Sequence, residues 1–134
     1  MNLSVDHVAI AVYALDEALA FYRDALGLEV ARQCEVPEEG VELALLPLGH
    51  AAIELIRPLS GEGGVARFLE RRGEGLHHIC LSVEDIEAAV KRLQEAGADL
   101  TTEEPQRKAD GTRYVFVHPR SAHGVLLELY EKID

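Results

Sequence analysis

The chain has 134 residues, 48% of them apolar, and 24 acidic side chains against 13 Lys and Arg, for a formal charge of −11. That size fits one domain with a buried core, and the charge argues against nucleic acid or an anionic membrane as main partner, because Lys and Arg must neutralise phosphates and here they are outnumbered. No window is long and apolar enough to span a bilayer, Met1 to Asp6 carry no leader pattern, and Cys34 and Cys80 have no metal-type spacing; a reduced, cytoplasmic setting is expected.

In chain order, "DHVAIAV" (6–12) is a β-type run. An amphipathic helix is predicted next, from Leu15 to Leu26, with Leu15, Leu19, Tyr22 and Leu26 at helical spacing and a glycine after it. Three strand candidates follow: Leu28 to Val36, Val41 to Leu46 and Ala51 to Arg57. Residues 58–75 then hold a glycine-rich turn and a short helix candidate, "VARFLERRG", expected to act as a connector. The order repeats from there: "HHICLSV" (77–83), a helix over Val83 to Glu95 that also stops at glycine, and strands at Asp99 to Thr102, Thr112 to His118 and Val125 to Tyr130. A single domain is therefore expected over residues 1–134, of α+β class, made of two tandem βαβββ modules at about 3–57 and 76–131.

The duplication extends to side-chain parity. Alternation along a strand puts His7, Ala9 and Ala11 on one face, and His78, Cys80 and Ser82 on one face of the second copy. The opposite faces carry Val8, Ile10 and Val12, and His77, Ile79 and Leu81, so the bulky faces should pack helices and the small-residue faces should border a cavity. In the last strands "AIEL" (52–55) matches "LLEL" (126–129), which makes Glu54 the counterpart of Glu128.

A lone strand histidine is usually a hydrogen-bonded core residue, and a lone Glu in "IEL" a solvated one. Two His and two Glu at equivalent places of a duplicated unit point instead to a metal centre at His7, Glu54, His78 and Glu128. Neutral imidazoles with two carboxylates balance a divalent charge and suit first-row transition metals with open coordination positions; without thiolates, iron–sulfur chemistry and closed structural zinc are disfavoured.

These paired units resemble the vicinal oxygen chelate superfamily across almost the whole chain. Within it, "VPEEGVELALLPLG", "AAIELIRPLSG", "EGLHHICLSVEDIEAAV" and "FVHPRSAHGVLLEL" resemble the methylmalonyl-CoA epimerase family. The resemblance implies a curved mixed sheet around the metal, a divalent ion (cobalt, with manganese, nickel or zinc as alternatives), a homodimer, and interconversion of (R)- and (S)-methylmalonyl-CoA through an enolate. It carries the ligand roles onto His7, Glu54, His78 and Glu128.

Inversion at carbon needs two acid/base groups on opposite faces. Glu128 is one candidate. Counting back from Pro47 places Glu42 at the position where some relatives carry a second Glu, whereas counting from Gly40 gives Leu43. In "HPRSAHG", Arg120 and Ser121 are candidates for contact with the anionic substrate, and His118 for lining the cavity, against the alternative of an ordinary polar turn. Competing functions on the same architecture are lactoylglutathione lyase, a ring-cleaving dioxygenase, and a metal-free drug-binding protein. The "HPRSAHGVLLEL" ending and the complete ligand set argue against them.

Overall fold

A computed structural model describes residues 2–132. Contacts divide the chain into two units, one of residues 7–77 and one made of the segment ahead of it with the chain from residue 78 onward.

The first unit opens on β1 (Leu3–Ala11), which begins in the second unit and continues into this one. Helix α1 starts at Leu15 and runs to Leu19 as a regular α-helix, then widens over Ala20–Ala25 into a π-helical segment, where Leu26 N–H donates to the Phe21 carbonyl at 2.8 Å. Gly27, at φ 90°, ends it where an L side chain would be strained. Strands β2 (Arg32–Val36), β3 (Val41–Leu48) and β4 (Ala51–Pro58) form an antiparallel meander, and β4 pairs in parallel with β1. Strand order in this unit is β2-β3-β4-β1. Leu15 and Leu19 of α1 pack on Val12, Ala44, Leu46 and Leu55, the bulky face that the alternation predicts.

The connector does more than join. Its helix α2 (Gly64–Arg72) sets Leu69 against Ala9, Ala11 and Ile56. The small residues of β1 therefore admit a closely approaching helix, and Ala9 and Ala11 are fully buried rather than bordering a cavity.

In the second unit, β5 (Gly75–Val83) leads through Asp85 into α3 (Ile86–Glu95). Val83 stays in the strand, and the helix starts later than its apolar spacing suggests because the Asp85 carboxylate accepts from the Ala88 N–H at 3.1 Å, an N-cap. Ile86, Ala89 and Val90 pack on Val83, Val115 and Leu129.

The strand expected at Asp99 to Thr102 does not form. Only a single bridge joins Leu100 to Val117, and the edge strand is the two-residue β6 (Gln106–Arg107). Thr102 turns its hydroxyl onto the Glu104 carbonyl at 2.7 Å, and Pro105 has no N–H for a ladder, so the chain leaves the sheet here. β7 (Arg113–Val117) and β8 (Leu127–Glu131) complete the order β5-β8-β7-β6, with β8 parallel to β5. Each unit thus has one parallel pair at its start and antiparallel pairs beyond it. Both cysteines are free thiols, and no described helix is long and apolar enough to cross a membrane.

Candidate metal centre

The same small piece of geometry occurs in each unit. On β4, Glu54 stands opposite Ala9, two residues beyond His7; on β8, Glu128 stands opposite Cys80, two residues beyond His78. Parallel pairing puts partners on a common face, so the register brings each carboxylate beside its own histidine. His7 Nε2 lies 3.8 Å from a Glu54 carboxylate oxygen, and His78 Nε2 lies 3.4 Å from Glu128 Oε1. Both histidines are 8% exposed, and Glu128 only 2%.

These separations exceed the usual N–H···O range of about 2.7–3.2 Å. They match two atoms sharing one cation, since ligands about 2.1 Å from a metal lie roughly 3.4 Å apart at tetrahedral angles and further at wider ones. The donor set fits the group: imidazole nitrogens and carboxylate oxygens in two like pairs, with His7, His78 and Glu128 buried and Glu54 partly so. Cys80 stands opposite Glu128 in the strand register and is buried, and burial, reinforced by the Glu128 charge, pushes its thiol upward.

The second unit supports its pair with aromatic rings. Phe116 stands opposite Glu128 in the β7–β8 register and meets the His78 ring edge-on at 5.8 Å, and Tyr114 meets Phe116 at 6.0 Å. Behind them the Tyr130 hydroxyl donates to Asp6 at 2.8 Å, and Lys132 approaches the same carboxylate at 3.3 Å. Burial and then the Asp6 bond raise the Tyr130 phenol, which stays protonated. His77, one residue from the ligand position, packs edge-on against Phe68 of α2 at 5.1 Å.

Glu42 is not on the ligand face. In the β3–β4 register it stands opposite Arg57, whereas Leu43 and Leu45 stand opposite Ile56 and Glu54. Because side chains alternate, Glu42 points to the face opposite Glu54, where Arg57 Nε donates to its Oε1 at 2.7 Å. The expected second base is thus half of an ion pair on the other side of the sheet.

The turn before β8 is held internally. Arg120 Nε donates to Asp99 at 2.7 Å, the Ser121 hydroxyl accepts from the Asp99 N–H at 2.8 Å, and His118 Nδ1 accepts from the Arg120 N–H at 3.1 Å. His118 lies just past the end of β7, so the alternation that would have aimed it beside Phe116 stops before it. One contact escaped sequence reasoning: Lys108, in the β6–β7 turn, places Nζ 3.2 Å from Glu128 Oε2. Its residue type carried no motif, and only folding of the hairpin could reveal it.

A sequence profile of the glyoxalase/bleomycin resistance protein/dioxygenase superfamily matches residues 6–116. The chain is 45% identical over 127 residues to an ethylmalonyl-CoA/methylmalonyl-CoA epimerase of Cereibacter sphaeroides, covering 93% of this chain and 95% of that one. The chain belongs to the methylmalonyl-CoA epimerase family of that superfamily. Its fold is the family's: a hypothetical protein of Bacillus halodurans superposes with a TM-score of 0.94 at 40% identity, covering 100% of this chain and 97% of that one. A methylmalonyl-CoA epimerase solved with methylmalonyl-CoA and ammonium superposes with a TM-score of 0.86 at 34% identity, covering 96% and 93%. Likeness to a lactoylglutathione lyase of Salmonella typhimurium is weaker, 30% identity over 128 residues, covering 96% of this chain and 92% of that one.

Proposed function

We propose that this chain is an isomerase that interconverts (R)- and (S)-methylmalonyl-CoA by moving the proton on the carbon between thioester and carboxylate. The observation that carries the reading is the His–Glu pair repeated at the same register in both modules of a chain that aligns almost end to end with CoA-ester epimerases. Each pair alone offers two donors, short of what a first-row divalent ion takes, so on the duplication in the sequence we assign His7, Glu54, His78 and Glu128 as the ligand set of a divalent ion. A bound divalent ion, cobalt in our reading, would act as a Lewis acid toward the substrate oxygens as the enolate charge develops.

The protein's own groups move the proton. Glu128, nearly buried beneath Phe116, is one carboxylate placed to take it. Glu42 faces away, and among the described residues of β1–β4 that share the His7 face Glu54 is the one carboxylate. We therefore assign Glu54 as the second proton-transfer group; duplication makes it the counterpart of Glu128, and inversion requires one group to take the proton and a second, protonated one to deliver it from the opposite face. His118 and Ser121 hold the turn that feeds β8. Arg120, with its side chain 68% exposed, is the group of that turn open to an anionic substrate. The cytoplasmic setting rests on the two free thiols, and the homodimer on the family resemblance.

The deciding measurement is incorporation of solvent deuterium at the α-carbon of methylmalonyl-CoA, with cobalt present. Exchange well above the uncatalysed rate is expected. Its absence in metal-loaded protein overturns the reading.

A further inference from the structure

Lysine is a costly neighbour for a divalent cation, because like charges repel most strongly where water is scarce. Among the described residues, Lys108 is the Lys or Arg whose charged end reaches a candidate ligand, 3.2 Å from Oε2 of a Glu128 side chain that is 3% exposed. The hairpin turn holds it there. Lys108 N–H donates to the Thr112 carbonyl at 2.8 Å, Gly111 N–H donates back to the Lys108 carbonyl at 2.9 Å, and Gly111 takes φ 92°. The Asp110 carboxylate ties the same turn by accepting from the Thr112 N–H at 2.9 Å. The Lys108 ammonium also lies 5.1 Å over the Tyr114 ring, a cation–π contact that fixes the end of a long, otherwise mobile side chain. Glu128 is then addressed from two sides: Oε1 by His78 and Oε2 by Lys108.

Resting on the reading of Glu128 as a metal ligand, we propose that Lys108 is a positioning residue that holds Oε2 of Glu128 so that the carboxylate can meet the ion through one oxygen only. A carboxylate free to turn can close both oxygens on the ion and fill a position the substrate needs. The ammonium competes for the second oxygen, keeping the coordination shell open at some loss of metal affinity, and leaves the other lone pair of Oε2 oriented to take the proton from the reacting carbon.

The test titrates cobalt into apo-protein, by calorimetry and by visible absorption, for the wild type, Lys108→Met and Lys108→Arg. In Lys108→Met the cobalt Kd is expected to fall about three- to tenfold and the visible band to weaken as coordination number rises. The turnover number for α-proton exchange is expected to drop at least about tenfold with KM within roughly threefold, the signature of a lost reaction-geometry contact rather than lost binding. Lys108→Arg, which keeps the charge, should restore most of the exchange. Weaker or unchanged cobalt binding in Lys108→Met overturns the proposal. So does a rise in KM with turnover intact, which would make Lys108 a substrate anchor, or failure of Arg to do better than Met. If the wild type binds cobalt but exchanges no proton, the epimerase reading fails while the affinity and absorption results still judge Lys108.

Discussion

At the scale of single residues, parity decides chemistry. His77 and His78 are neighbours in sequence, yet the β5–β8 register and the side-chain distances place His78 beside Glu128 and His77 against Phe68. His78→Ala is expected to abolish deuterium exchange and to weaken cobalt binding by at least about a hundredfold, since it removes one of the four proposed ligands. His77→Ala should keep exchange within about threefold and lower stability by about 1 kcal/mol, the worth of an aromatic pair; loss of exchange there would mean that the assignment by parity is wrong. The same parity was legible for both histidines and for Glu54 and Glu128, because the flanking residues alternate without a break. It was not legible for Glu42, where the count depends on how the loop before β3 is traversed. Glu42→Gln is expected to leave exchange unchanged within about twofold and to cost less than about 1 kcal/mol in denaturant unfolding, as a partly exposed ion pair does.

At the scale of elements, helices were readable from apolar spacing and their ends from glycines. The exceptions have local causes. Asp85 delays α3 by capping it, and the Thr102 hydroxyl with Pro105 removes the strand expected at Asp99 to Thr102. Helix α2 carries more weight than a connector would, since Leu69, 5% exposed, covers Ala9, Ala11 and Ile56 on the face that bears His7 and Glu54. Leu69→Ala is expected to cost about 2–5 kcal/mol in denaturant unfolding. It should also weaken metal binding, because the strand that presents His7 loses its cover. A loss below about 1 kcal/mol would return α2 to a passive link. At the same N-terminal end of α3, Glu131 accepts from the Ile86 N–H at 2.9 Å and from Arg113 at 3.0 Å, and these bonds hold its carboxyl below the usual range. The folded protein keeps that group ionised where the unfolded chain already takes up a proton, so its contribution is full above the unfolded-state pKa and is lost as pH falls through the folded one. Melting curves of wild type and Glu131→Gln should accordingly converge on acidification below about pH 4.3; a gap that widens in acid contradicts the assignment.

At the scale of the whole molecule, stability and function should be linked through the metal. Binding to the native state alone stabilises by about 2.7 kcal/mol at a hundredfold excess over Kd, on the order of 10 °C in Tm for a domain of this size. Heating the apo-protein with and without cobalt measures it. No shift, in a protein that binds cobalt by calorimetry, would mean that the ligands also hold the ion in the unfolded chain.

Duplication is a property of sequence: two βαβββ orders, two His and two Glu at matching places, and an apolar alternation that only one strand register satisfies. Those features determined the fold class and marked the four candidate donors, and the motifs around them carried the family. Tertiary structure decided what depends on chain segments meeting at a distance. It turned Glu42 toward Arg57, tied Arg120 and Ser121 to Asp99, laid α2 over the small residues of β1, and brought Lys108 to Glu128. The physical reason is that period and parity are set by backbone geometry within a strand or helix, whereas loop length, turn closure and cross-strand partners are set by which segments the folded chain brings together.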